Sequence, residues 1–146
     1  MNLIEFYTNK IKSKIVKKKS IFNIKNINEI KNIIVEIPPD KIDFDLSSNA
    51  AMILAKITKN NPRLIAEKLK EILKSEIKDF SSIEIAGPGF LNFKISNNTW
   101  QKTIKFILKE KKKYGSNRKK KSFNIEFVSA NPTGPMHVGH CRGAVF

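Results

Sequence analysis

Two histidines, His137 and His140, flank Val138 and Gly139 in a chain of 146 residues. In the first turn of a helix that spacing puts both rings on one side. Unpaired backbone N–H groups and the positive end of the helix dipole attract anions to the same place. Gly139 lacks the side chain that would hold a flat ring or a phosphate off the backbone. Ahead of the pair, Pro132, Gly134 and Pro135 fix a tight turn. Before that turn, Phe123, Ile125 and Phe127 alternate with Asn124 and Glu126 as a strand should. Strand, rigid turn and a helix N-terminus carrying donors describe a nucleotide-phosphate site on the first crossover of a Rossmann-like sheet. Other chemistries stay open for the same residues. His137, His140 and Cys141 are a candidate zinc set, weakened by the lack of a fourth ligand or any Cys-x-x-Cys spacing. Cys141 is a candidate nucleophile, although no base and orienting group accompany it. Gly87-Pro88-Gly89 reads as a phosphate loop or a turn between strands, and the missing Gly-Lys-Ser/Thr ending favours the turn.

The elements that must position these groups follow from periodicity. From Asn2 to Lys17, Ile4, Tyr7, Ile11 and Ile15 recur every three or four residues, which predicts an amphipathic helix. A mitochondrial presequence is the competing reading, opposed by Glu5 and by the absence of arginine there. Residues Ile33 to Ile37 form a short strand stopped by Pro38-Pro39. Ser47 to Lys59 reads as a helix with a serine cap. Asn61-Pro62 caps and opens a further helix that carries Ile65, Leu69, Ile72 and Leu73 on one face, with Glu67 and Glu71 pairing to nearby lysines. Strands at Ile83–Ile85 and Phe90–Ile95 flank Gly87-Pro88-Gly89. Asn97 or Asn98 caps a helix whose stripe is Trp100, Ile104, Ile107, Leu108 and Lys111, and the helix ends at Gly115. Trp100 and the phenylalanines are expected in the core. The expected organisation is an α+β domain over 1–115, a basic linker over 116–122, and over 123–146 an incomplete Rossmann-like α/β catalytic domain.

Composition excludes several classes. The run Ala50–Ala55 is the longest uninterrupted apolar stretch, far short of the roughly 20 residues of a membrane-spanning helix. No membrane partner and no secretory signal are expected. One cysteine cannot close an intrachain disulfide, and a reducing, cytoplasmic setting is expected. The net charge is +15, which points to a polyanion such as nucleic acid. However, 25 of the basic residues are lysine, beside 22 isoleucines and 15 asparagines. These are the amino acids of A/T-rich codons, so codon bias is an alternative source of the charge. The lysine runs at 17–19, 111–113 and 119–121 are equally solvated faces or RNA contacts.

The sixteen residues Ile125–His140, IEFVSANPTGPMHVGH, resemble the signature segment of arginyl-tRNA synthetase, a class I aminoacyl-tRNA synthetase. Asp43–Ala50 (DFDLSSNA), Leu54-Ala55-Lys56, Asn61-Pro62-Arg63 and Ala86–Phe93 (AGPGFLNF) are similar to that family's N-terminal domain. Met136 stands where leucine is more usual, and Cys141 where a small residue is common.

The resemblance implies that Ser129, Asn131 and His140 contact L-arginine. It implies that His137, Gly139 and His140 handle ATP, with Thr133 and Gly134 shaping the loop, and that His137 and His140 are the catalytic pair. The implied activity is that of an arginine-tRNA ligase acting on tRNA(Arg), with ATP as a substrate alongside Mg²⁺ and no resident metal. The arginine carboxylate attacks the α-phosphate, pyrophosphate leaves, and the arginyl group passes to the terminal adenosine of the tRNA. The histidines suit donation to phosphate oxygens as charge builds. The N-terminal domain would touch the outer elbow of the tRNA near the D-loop. No Lys-Met-Ser-Lys-Ser-type loop is present, so the 146 residues alone are expected to be inactive. A free-standing tRNA-binding module and an inactive truncated product are the alternatives.

Overall fold

Apolar side chains at every third or fourth position need a cap before they become a helix, and Asn2 supplies the first. Its side chain accepts hydrogen bonds from the amides of Ile4 (3.0 Å) and Glu5 (3.3 Å), opening α1, Leu3–Lys17, on which Tyr7, Ile11 and Ile15 are buried. The computed structural model describes residues 2–39, 42–116, 122, 124–126, 128, 133–135 and 137–145, with backbone only at 141, 143 and 144. A 3-10 turn, Ile27–Ile30, precedes β1, Val35–Glu36, and β2, Leu46–Ser48. Two helices follow, α2 (Ala50–Thr58) and α3 (Pro62–Glu76), then the hairpin of β3 (Phe80–Ala86) and β4 (Phe90–Ile95). Helix α4, Asn97–Glu110, runs into a second 3-10 turn at Lys111–Lys113, and α5 spans Val138–Val145. The chain divides into two compact units, Met1–Gly115 and Ser116–Phe146.

The four strands form one antiparallel sheet in the order β1-β2-β4-β3. Strand alternation gives it two unlike faces. Val35, Leu46, Ile83, Leu91, Phe93 and Ile95 face α1, α2 and α3 and join the buried helix residues in a single core. Tyr7, Phe80 and Phe93 stack through it, with ring centroids 5.1 and 4.6 Å apart. The result is a mixed α and β fold built on a four-stranded antiparallel sheet.

Several elements depart from the expected pattern. Ser47 and Ser48 do not cap α2: they lie in β2, whose partner is the distant β4. The helix starts behind Asn49, and the Ser48 hydroxyl accepts from the Ala50 amide (3.2 Å). Strand β1 is shorter than expected. The cap of α4 is Ser96, whose hydroxyl accepts from the Thr99 amide (3.3 Å), not Asn97 or Asn98. On α4 the inward side passes through Trp100, Thr103 and Ile107, leaving Ile104 and Leu108 exposed, because a stripe drawn from apolar residues alone overlooks a threonine whose hydroxyl bonds the Thr99 carbonyl (2.9 Å). Phe22 and Phe93 are buried as expected, whereas Phe6 and Phe106 are exposed. In the second unit, described residues 124–126 and 128 have no strand pairing. A strand needs a neighbour to become one.

Candidate functional site

Aspartates and asparagines among hydrophobics are the usual markers of a site, and in residues 1–115 several of them hold backbone instead. The Asp45 carboxylate accepts from the Ile95 amide (2.7 Å), pinning β2 to β4. Asn49 accepts from Ile34 N–H (2.9 Å) and donates to the Asn32 carbonyl (3.2 Å), while the Ser48 hydroxyl donates to the Ile34 carbonyl (2.8 Å). The Asp79 carbonyl accepts from the Ser96 amide (2.9 Å) and the Thr99 hydroxyl (3.3 Å), and its carboxylate pairs with Lys10.

Burial pushes the Tyr7 phenol well above its ordinary value, and the neighbouring Asp79 charge adds to the shift. Lys14 pairs with Glu76 at 2.9 Å and holds that carboxyl below its usual range. Asp43 pairs with Lys94 and raises its ammonium. These three are the ion pairs among the described residues, and neither Glu67 nor Glu71 takes part in one.

What is left unspent lies on the sheet face away from the helices. The register aligns Glu36, Ser47, Asn92 and Glu84 in one row across all four strands. Ser47 and Asn92 are almost fully buried, yet no described residue hydrogen-bonds either side chain. No buried side-chain polar atom lacks a partner among the described residues, so these groups reach solvent through the groove above them. That groove, about 280 Å³, is lined by Glu36, Pro38, Ile42, Gly87 and Phe90 beside Ser47 and Asn92. An aromatic ring, two prolines nearby and a buried carboxamide suit a flat, apolar ligand with a polar edge, such as an unstacked base. The sequence gives one hint of this: Asn92 sits between Leu91 and Phe93, a polar residue in an apolar strand. Register alone brings Ser47 beside it.

The hairpin beside the groove depends on Gly89. Its φ is +140°, and an added Cβ would stand 3.1 Å from both the Cβ and the carbonyl oxygen of Pro62. The two motifs Asn61-Pro62-Arg63 and Ala86–Phe93 therefore meet in space. Asn61 accepts from the Arg63 amide (2.8 Å) and starts α3 against that turn.

In the second unit His137 and His140 stand at the start of α5, with ring centroids 3.9 Å apart and planes inclined by 32°. The His137 amide donates to Nδ1 of His140 and the Gly139 amide to Nδ1 of His137, both at 3.1 Å. A Cβ on Gly139 would stand 3.0 Å from Cε1 and 3.1 Å from Nδ1 of His137, so the glycine's open space is filled by that ring. Thr133 and Gly134 form an exposed turn ahead of the pair. Ser129 and Asn131, like the lysine run at 119–121 and the Cys141 side chain, lie outside the described residues.

Residues 6–95 match the family described as the arginyl tRNA synthetase N terminal domain. The chain is 44% identical over 99% of its length to the arginine–tRNA ligase of Pelagibacter ubique (strain HTCC1062), of which it covers 26%. It is 48% identical to that of Rickettsia felis, over 88% of the chain and 22% of the relative, and 52% identical to that of Rickettsia bellii, over 83% and 21%. Both comparisons point to the aminoacyl-tRNA synthetase class. The chain belongs to the arginyl-tRNA synthetase N-terminal domain family. It spans about a quarter of the length of the curated relatives it matches.

Proposed function

We propose that the chain supplies the N-terminal portion of an arginine–tRNA ligase, with ATP, L-arginine and tRNA(Arg) as the substrates of the whole enzyme. Similarity to arginine–tRNA ligases along nearly the entire chain carries this reading. Residues 1–115 are the tRNA-contacting domain, and 116–122 link it to residues 123–146, which open a class I, Rossmann-like catalytic domain. The groove over Asn92 takes a base turned out of the tRNA elbow: Phe90 offers a stacking surface, and the carboxamide reads the base edge. The lysine-rich remainder of the domain meets the phosphates.

In the catalytic segment, Ser129, Asn131 and His140 bind arginine. Thr133, Gly134, His137, Gly139 and His140 bind ATP, which arrives with Mg²⁺. The arginine carboxylate attacks the α-phosphate and pyrophosphate leaves; a ribose hydroxyl of the terminal adenosine then attacks the adenylate's carbonyl carbon, forming the ester and releasing AMP. As negative charge gathers on the phosphate oxygens, ring N–H groups of His137 and His140 donate to them, which is electrostatic stabilisation without covalent participation.

Competition binding at near-physiological salt tests the tRNA reading. Arginine tRNA should displace a labelled arginine tRNA better than a duplex RNA of equal charge. Phe90→Ala and Asn92→Ala should each weaken binding by about tenfold, within the ~1–3 kcal/mol of one stacked base. Equal competition by all RNAs, with equal losses for every Lys→Ala change, would assign the basic excess to composition and end the proposal for this domain.

A further inference from the structure

We infer that His137 and His140 cap their own helix reciprocally, so that each ring is held in one tautomer, and that Gly139 is the positioning residue that makes room for this arrangement. In a capping box, the first residue's side chain accepts from an amide of the first turn, and the residue three positions on returns a bond to the first residue's amide. The tetrad does this with imidazoles. The His137 ring accepts from the Gly139 amide, and the His140 ring accepts from the His137 amide. The His140 amide closes the turn onto the His137 carbonyl at 2.9 Å.

A neutral imidazole has one N–H and one acceptor nitrogen. Both Nδ1 atoms accept, so both protons sit on Nε2. The two rings lie against each other, with centroids 3.9 Å apart, and each keeps its Nε2–H free of these cap bonds. Two amides of the helix N-terminus are occupied by ring nitrogens rather than left open. The signature thus supplies donors through its side chains, and the glycine serves the His137 ring as much as any ligand. The use of those donors on phosphate rests on the proposed function above; the cap does not.

The chain holds two histidines, so both imidazoles can be assigned directly. Long-range ¹H–¹⁵N correlation of the neutral rings in the full chain should show Nε2–H on each. Amide hydrogen exchange should be about fivefold faster at residue 137 in His140→Ala than in the parent, the effect of one hydrogen bond near 1 kcal/mol. His140→Glu, which keeps an acceptor at that position, should retain the protection while losing the donor. Gly139→Ala should lose protection at residue 139 and shift the His137 ring signals. A proton on either Nδ1, or unchanged exchange at residue 137 in His140→Ala, would overturn the inference. None of these readouts needs nucleotide. In the whole ligase, failure to bind ATP would count against the catalytic reading alone, whereas protected amides with weakened ATP binding in its His140→Glu variant would support both.

Discussion

In residues 1–115 polar side chains close long loops as well as helix caps, while those of His137 and His140 close a single turn. Asp45 bonds an amide 50 positions away, and Asn49 one 15 positions away. His140 and His137 bond amides three and two positions away. A bond of the first kind exists only when the whole sheet exists. A bond of the second kind needs one helical turn. Motif residues in the two regions therefore fail for different reasons, and damage to one should leave the other's signals in place.

The largest separation of the two should come from the core. Phe93 is fully buried against Phe80, and Phe93→Ala should cost about 3–5 kcal/mol by urea denaturation. The exchange protection at residue 137 should survive it; loss of both together would break the contrast. Next comes Gly89→Ala, at about 2–4 kcal/mol, since it combines an unfavourable φ with a contact on Pro62. Gly87→Ala has a φ of +51° but open space around it, and should cost only about 1–2 kcal/mol. Equal losses at the two would remove the Pro62 contact from the explanation.

Smaller again, Asp45→Ala should cost about 2 kcal/mol, the range of a hydrogen bond to a charged group. It should speed exchange at the Ile95 amide before any other in β4.

The smallest effects are pH limbs. The Tyr7 phenol is raised above its ordinary 10.0, so the stability it confers is whole below that pH and is lost as pH rises further. Tyr7→Phe should move the alkaline fall in the urea midpoint upward. Raised Lys94 acts in the same direction and stays in that variant. Glu76, lowered by Lys14, contributes above its unfolded value and is lost as pH falls. Glu76→Gln should flatten the acid limb slightly, and a flattening of the alkaline limb would contradict the assignment.

Local features were legible in the sequence. The Asn61-Pro62 start of α3, the bounds of β4 and the Gly87–Gly89 turn follow from residues adjacent in the chain. So does the placing of His137 and His140 on one side of a helix start. Features set by distant partners were not. Ser47 and Ser48 look like a cap until β4 pairs with them. Glu67 and Glu71 suggest helix-surface pairs, but the lysines that find acids reach across the fold, Lys10 to Asp79 and Lys94 to Asp43. The groove is the clearest case. Its residues occur in recognisable motifs, but Ser47, Asn92 and Glu36 become neighbours only through the register of three strands.

The contact between Gly89 and Pro62 ties the inheritance of two motifs together. A mutation that gives residue 89 a side chain survives only if position 62 retreats, and Pro62 is fixed as the first residue of α3 behind its Asn61 cap. The two positions are therefore coupled, in a chain rich in lysine, isoleucine and asparagine. A change at either position is thus felt at both the hairpin turn and the helix start, next to the groove that Gly87 lines.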